Sequence, residues 1–237
     1  NVGRMSALLA GLPVSVPAAT VNRLCGSGMN AIGNIADAIR AGTISVGIAG
    51  GVESMSRAPF VLPKQSAPFG RDATLYDTTL GWRFINAAIE KQYGVDSMAE
   101  TAENVADEYG VGRESQDAFA LRSQQKAAAA LREGRLAEEI VGVTIPQKRG
   151  EAVVVDVDEH PRADSTAEGL AKLRPIVFDG GTVTAGNASG INDGAAALLL
   201  MSEPAVQAFE ATPLARVVAW VVAGVPPRVM GIGPVPA

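Results

Sequence analysis

At the start of the chain the hydrophobic pattern predicts a strand, a helix and a second strand. Residues 14–24 form a strand-like run, and a helix follows that ends before Gly42, a suitable C-terminal cap. Apolar side chains surround this helix except along one narrow polar stripe of Asn30, Asn34, Asp37 and Arg40. Such a helix lies between two layers rather than on a surface. The apolar run at residues 44–49 predicts a buried parallel strand, which completes a βαβ unit.

The middle of the chain, residues 57–175, is richer in proline and charge and is predicted to be an insertion with its own small elements. Ser97 and Glu100 have the spacing of a capping box, so a helix begins there. A second helix is predicted over residues 114–133, because Gly134 follows it. Residues 141–145 and 153–157 predict a pair of strands.

The final part of the chain returns to an apolar pattern. Residues 182–185 are strand-like, and residues 195–201 form a continuous apolar run. A polar corner rich in glycine, asparagine and serine separates them, which is ordinary turn chemistry. Residues 216–222 predict one more apolar strand.

Composition and charge narrow the classes of function. The 237 residues are 47% hydrophobic and 5% aromatic, enough for one large domain or two with a sizeable core. A net charge of −5 gives no reason to expect nucleic acid or an anionic membrane as a partner. The single cysteine excludes an internal disulfide and is typical of the cytoplasm, where we expect the protein. No metal site is expected, and because the chain starts without methionine we expect it to be a fragment.

That cysteine, Cys25, lies where a predicted strand meets a predicted helix, followed by Gly26 and Gly28. The first N–H groups of a helix have no partner within it and add partial positive charge. A thiol at that end has a lowered pKa, and the same N–H groups can bind an oxyanion. Cys25 is therefore predicted to be a nucleophile that becomes acylated.

Three other interpretations of this stretch compete with that prediction. A lone cysteine is most often a small buried hydrophobic residue. The glycine pattern of residues 26–31 also fits a dinucleotide-binding turn, but that site needs an acidic residue about 20 positions later, and Glu53 is a poor candidate. We therefore expect no nucleotide redox cofactor. The nucleophile-elbow motif of α/β-hydrolases does not match, because Arg23 stands where that motif has its first glycine.

Three segments, in order along the chain, resemble the signature segments of the thiolases, which cleave or form 3-oxoacyl-CoA thioesters. They are NRLCGSG at 22–28, AGGVESMS at 49–56 and TAGNASGINDGA at 184–195. Two further segments, at 77–84 and 93–98, are most similar to the branch acting on 3-oxoadipyl-CoA. Acetoacetyl-CoA thiolase is the alternative within the family.

The resemblance implies an α/β fold, the thiolase-like layered α-β-α-β-α arrangement. Residues 1–56 would form the N-terminal core with the nucleophile, and residues 57–175 the inserted loop domain that covers coenzyme A. Residues 176–212 would return to the core, and residues 213–237 would begin a C-terminal domain. The family also implies a homodimer or homotetramer with coenzyme A and acyl-CoA as partners.

The resemblance also assigns roles to individual residues. Cys25 would be the nucleophile, and Arg162 would approach the adenine and phosphate end of coenzyme A. Ser189 would bind the pantetheine arm, whose path would be lined by Ala185, Phe178 and Met98. His160, the only histidine, lies in the coenzyme-facing insertion and is not expected to be the catalytic base.

The chain departs from the family at several points. Ser97 replaces a common histidine and Gly169 a common coenzyme-contacting serine, which favours a longer acyl chain over acetoacetyl. The family's catalytic histidine and second cysteine have no counterpart here, so we expect this fragment alone to be inactive. A condensing enzyme that uses a carrier protein and a non-catalytic coenzyme A-binding module remain as alternatives.

Overall fold

The computed structural model describes residues 1–237, which divide into two units. The first unit comprises residues 1–58 and 192–222, and the second comprises residues 59–191 and 223–237. None of the helices is both long enough and apolar enough to cross a membrane.

The helices and strands are short apart from α2, α4 and α5 and the long strand pair. The helices are α1 (Val2–Leu9), α2 (Ser27–Arg40), α3 (Ala87–Tyr93), α4 (Met98–Glu108), α5 (Arg113–Arg132), α6 (Ala167–Ala171) and α7 (Glu203–Ala208). The strands are β1 (Val46–Ser54), β2 (Phe60–Val61), β3 (Tyr76–Asp77), β4 (Val143–Ile145), β5 (Val153–Val155) and β6 (Asp193–Met201). Two 3-10 helices occupy Met55–Arg57 and Pro227–Ile232.

The first unit is built on one long strand pair, β1 with β6. The two strands run antiparallel, from Val46 opposite Met201 to Ser54 opposite Asp193. The prediction of a parallel strand in a βαβ unit was therefore wrong, and residues 14–24 do not form a strand. An apolar run indicates burial but not strand direction, and the partner of β1 comes from a distant part of the chain. Residues 14–24 instead form a loop in which the Val14 carbonyl accepts a hydrogen bond from Arg4 (2.8 Å).

Helix α2 packs against one face of this pair, and small residues of β1 let it approach. A Cβ atom added to Gly47 would lie 2.8 Å from Cγ2 of Ile35, and Ala49 is only 2% exposed. Because side chains alternate along a strand, Ile48 and Val52 point to the opposite face, where they remain exposed. The expectation that α2 lies between two layers is not met within these residues, since Met29 is 76% exposed.

The polar stripe of α2 forms hydrogen bonds with residues 217–220, in the segment that follows α7. The Arg40 guanidinium donates to the carbonyls of Val217 (2.7 Å) and Val218 (3.0 Å), and Trp220 Nε1 donates to Asp37 Oδ2 (2.8 Å). The strand predicted at residues 216–222 was wrong, because two of its carbonyls bond to a side chain rather than to a neighbouring strand.

In the second unit the predicted capping box, the helix predicted over residues 114–133 and the predicted strand pair are confirmed. Ser97 and Glu100 form the capping box of α4, with Ser97 N donating to Glu100 Oε2 (2.6 Å) and Glu100 N to Ser97 Oγ (3.3 Å). Helix α5 occupies the predicted span, and β4 pairs antiparallel with β5. The 3-10 helix after Pro226 packs on α4, where the Arg228 carbonyl accepts from Asn104 (3.0 Å).

A first prediction tests the packing of α2 on Trp220. A Cβ atom added to Gly33 would lie 2.2–2.7 Å from atoms of the Trp220 ring. We expect Gly33→Ala to lower the free energy of unfolding by about 2 kcal/mol, because the overpacking outweighs the better helix propensity of alanine. Gly28→Ala in the same helix is the control, since nothing lies within 4 Å of its Cβ position. Equal stability of the two variants in urea unfolding would contradict the packing described.

A second prediction concerns pH. The Ser56 hydroxyl and the Ser56 N–H (2.8 Å) both donate to the Asp193 carboxylate, which lowers the pKa of Asp193. A pKa that is lower in the folded state stabilises the fold above the unfolded pKa, and this stabilisation is lost as the pH falls through the folded pKa. We expect Ser56→Ala to raise the Asp193 pKa, measured by NMR titration of the carboxyl carbon.

The stability difference between wild type and Ser56→Ala should be present at neutral pH and should shrink as acidification takes the pH below the usual aspartate value of 3.8 and through the lowered pKa of the folded state. Ser54→Ala, which removes a hydroxyl without a hydrogen bond to Asp193, is the control and should leave the titration unchanged. An Asp193 pKa that does not move in Ser56→Ala would refute the assignment.

Candidate active site

Cys25 lies in the first unit, two residues before the start of α2, and its side chain is exposed. Gly26 is the N-cap of the helix and offers no side-chain cap. The thiol is therefore accessible at the beginning of a helix, as predicted, and is not sealed in an apolar pocket.

Short-range hydrogen bonds fix the loop on both sides of Cys25. The Ser27 hydroxyl accepts from Arg23 N (2.8 Å) and donates to the Leu24 carbonyl (2.7 Å). Leu24 N donates to Asn22 Oδ1 (2.9 Å), and Arg23 Nε donates to Asn30 Oδ1 (2.7 Å). The motif at residues 22–30 therefore supplies its own scaffold for the cysteine.

Three N–H groups at Cys25 and at the start of α2 have no acceptor. The N–H groups of Cys25, Gly28 and Met29 have no acceptor within the protein, whereas those of Gly26 and Ser27 donate to Arg23 and Leu24 carbonyls (3.0 Å each). Free donors at a helix start can bind the negative oxygen that develops when a thiolate attacks a carbonyl. This arrangement is suited to acyl transfer.

Leu24, immediately before the cysteine, has a backbone φ of +48°. This left-handed conformation costs a residue with a side chain about 1–2 kcal/mol. The Leu24 side chain is 80% exposed, so its own packing does not compensate for that cost. The strain is carried by the loop bonds around it, as is common beside reactive groups.

The other predicted site residues lie in the second unit. Met98 is the first residue of α4, and Phe178, Ala185 and Ser189 lie between α6 and β6; all four are exposed. Arg162 lies between β5 and α6, where its backbone N–H donates to Gln124 Oε1 (2.7 Å). Its guanidinium has no carboxylate partner and is free for an anion. His160 is exposed in the same stretch.

The structure brings Ala185 and Ser189 onto one tight turn. Asn187 Oδ1 accepts from Thr184 N (2.7 Å), and Asn187 Nδ2 donates to the Thr182 carbonyl and to Asp117 Oδ1 of α5 (3.0 Å each). Thr184 is fully buried below the turn and makes only an isolated bridge with Pro175. The strand predicted at residues 182–185 was therefore wrong.

Sequence reasoning missed Asp117 and Glu103, which hold this turn, and placed Asn187 in the polar corner without predicting its contacts. Asparagine in a glycine-rich corner is usual turn chemistry, and carboxylates on charged helices are usually solvated. A single sequence contains no signal that separates these residues from their exposed neighbours.

Comparison with known proteins decides the family. The family model described as "Thiolase, N-terminal domain" matches residues 1–204. The chain belongs to the thiolase family. A relative in Acinetobacter baylyi named beta-ketoadipyl-CoA thiolase is 60% identical over 237 residues, which cover 100% of this chain and 59% of the relative. The chain thus spans less than two thirds of the curated thiolases that it matches.

Solved thiolase structures confirm the fold class. The crystal structure of the Bacillus anthracis acetyl-CoA acetyltransferase matches with a TM-score of 0.88 at 43% identity, over 100% of this chain and 59% of that chain. The crystal structure of human mitochondrial 3-ketoacyl-CoA thiolase in complex with CoA matches with a TM-score of 0.85 at 41% identity, over 99% of this chain and 57% of that chain. The α/β fold implied by the thiolase motifs is confirmed.

A third prediction tests the strained backbone immediately before Cys25. Glycine adopts a positive φ without strain, so we expect Leu24→Gly to leave the free energy of unfolding unchanged or to raise it by up to about 1 kcal/mol. Leu24→Val should lower it by about 1–2 kcal/mol, because β-branched residues tolerate this conformation least.

The matched control is Leu9→Gly at the end of α1, which is equally exposed but helical, and which should lose about 1 kcal/mol. Urea denaturation of the three variants gives the comparison. A loss in Leu24→Gly as large as in Leu9→Gly would show that the backbone at Leu24 is not strained.

Proposed function

We propose that the protein is a 3-oxoacyl-CoA thiolase in which Cys25 carries the acyl group. The observation that carries the proposal is the exposed thiol at the start of α2, beside the unpaired N–H groups of Cys25, Gly28 and Met29. Membership of the thiolase family supports the reaction class.

The proposed reaction proceeds in two half-reactions. The Cys25 thiolate attacks the 3-oxo carbon, the C2–C3 bond breaks, and acetyl-CoA leaves as an enolate that takes up a proton. The acyl group stays on the sulfur until the thiolate of a second coenzyme A attacks the thioester carbonyl and releases the Cys25 thiolate. In both steps the free N–H groups beside Cys25 stabilise the oxyanion.

The proposed substrate is 3-oxoadipyl-CoA, which yields succinyl-CoA and acetyl-CoA. The name of the 60% identical Acinetobacter baylyi relative supports this choice over acetoacetyl-CoA. Ser97 and Gly169, at positions where shorter-chain thiolases carry other residues, favour the same choice.

Coenzyme A is proposed to bind the second unit. The free guanidinium of Arg162 is suited to the phosphate groups, because its planar donors match phosphate oxygens. Ser189 has an exposed hydroxyl for the pantetheine arm, and the exposed side chains proposed to line the path are Ala185, Phe178 and Met98. Neither a metal nor a redox nucleotide enters this scheme. We further propose a cytoplasmic homodimer or homotetramer.

A fourth prediction tests the nucleophile and the coenzyme site together. The assay uses the whole protein that carries this sequence, because the family resemblance assigns the base and a second cysteine to other segments. Incubation with radiolabelled 3-oxoadipyl-CoA should place one acyl group on Cys25, and Cys25→Ala should take up none. Arg162→Met should weaken coenzyme A binding about tenfold, the effect of losing a charged hydrogen bond.

Arg132→Met at the end of α5 is the matched control and should bind coenzyme A normally. Transfer from acyl carrier protein but not from acyl-CoA would favour the carrier-dependent condensing enzyme. Preference for acetoacetyl-CoA would replace the proposed substrate. Coenzyme A binding without any acylation of Cys25 would favour a non-catalytic module.

A further inference from the structure

Glu103 is a buried carboxylate that the proposed mechanism does not use. It lies in the middle of α4 and is only 6% exposed. No lysine or arginine forms an ion pair with it. Instead, Oε1 accepts hydrogen bonds from the N–H groups of Thr182 and Val183 (2.7 Å each), and Oε2 accepts from the Thr182 hydroxyl (2.8 Å).

The three bonds explain why a charge is tolerated here. Burial of a carboxylate without partners costs several kcal/mol, and an apolar side chain would fill the space at lower cost. An apolar side chain would leave the N–H groups of Thr182 and Val183 without an acceptor. Hydrogen bonds to an ionised acceptor are stronger than neutral ones, so Glu103 holds this backbone firmly against α4.

The residue before the bonded pair is fitted to the same contact. A Cβ atom added to Gly181 would lie 2.6 Å from Glu103 Oε1, so only glycine allows the chain to pass this close to the carboxylate. Gln116 of α5 donates to the Thr182 hydroxyl from the other side (2.9 Å). The start of the turn at residues 182–189, called here the coenzyme turn, is thus fixed to both α4 and α5.

Glu103 therefore links two elements that carry proposed coenzyme-binding residues. Met98 begins the helix that contains Glu103, about 7.5 Å earlier along its axis. Ala185 and Ser189 follow on the coenzyme turn, only a few residues after Thr182 and Val183. The three hydrogen bonds of Glu103 set the separation between the helix and the turn.

We propose that Glu103 is a positioning residue for coenzyme A, which holds the coenzyme turn at the correct distance from the start of α4 and so shapes the passage for the pantetheine arm. The inference rests on the proposed function, since it assumes that Met98, Ala185 and Ser189 line that passage.

The test compares variants of the whole protein in steady-state thiolysis. Glu103→Leu keeps the bulk but removes both acceptor oxygens and with them the three hydrogen bonds. Gly181→Ala pushes the chain away from the carboxylate without removing any polar group. Both should raise KM for acyl-CoA about tenfold and change kcat less than about twofold. Glu103→Gln should restore KM to within about threefold, because its carbonyl oxygen still accepts both backbone N–H groups.

Two further measurements distinguish a positioning role of Glu103 from a role in stability alone. Ala128→Gly destabilises α5 at a buried position about 16 Å along the helix axis from Asp117, which contacts the coenzyme turn, and its KM should stay at the wild-type value. The S-ethyl thioester of the same acyl group lacks pantetheine, so its acylation of Cys25 should be equally fast in wild type and Glu103→Leu.

The outcomes separate the two proposals. If wild type is acylated on Cys25 but Glu103→Leu and Gly181→Ala show the KM of Ala128→Gly, the inference is wrong and the proposed function stands. Should Glu103→Leu fail to fold, Gly181→Ala alone decides. If wild type neither binds coenzyme A nor becomes acylated, the proposed function fails and the positioning role fails with it.

Discussion

Helix α2 can place Cys25 because glycines let it approach β1 closely. Gly47 leaves room for the Ile35 side chain. Gly51 lies opposite Gly28, and a Cβ atom added to Gly51 would be 3.4 Å from the Cα atom of Gly28. The start of the helix, with its free N–H groups, is thereby fixed against a strand rather than frayed into solvent. Larger side chains on this face of β1 would shift the helix, and the cysteine would move with it.

The two units use different means to fix their proposed functional residues. Around Cys25 the bonds are local and come from residues 22–30, so the loop is shaped by its own sequence. The coenzyme turn is fixed by carboxylates of two separate helices, Glu103 and Asp117. Its shape therefore depends on the packing of the whole second unit.

This difference explains what the sequence could predict. The capping box at Ser97, helix α5 and the β4–β5 pair depend on neighbours along the chain, and all three are confirmed. The predicted parallel direction of β1 was wrong, because its partner β6 lies far away in the sequence and the hydrophobicity of a strand does not determine how its partner runs. The strand predicted at residues 216–222 does not form there, and Arg40 donates hydrogen bonds to two of the carbonyls that would otherwise pair with a neighbouring strand.

The candidate site shows the same division. Cys25 was predicted to be the nucleophile from the glycines and the helix start beside it, and the structure shows the cysteine exposed at that helix start. Glu103 was missed because a glutamate on a polar helix is ordinarily solvated, and only the fold shows that this one is buried. Long-range polar contacts are thus the part of the site that one sequence does not reveal.

The self-contained loop around Cys25 has a consequence for how such proteins diversify. Because no side-chain hydrogen bond that fixes Arg23, Leu24 or Ser27 reaches beyond Asn30, substitutions in the second unit leave these bonds intact. Selection can therefore change residues of the second unit while the loop around Cys25 is inherited unchanged. The same cysteine loop can therefore be combined with second units of different sequence.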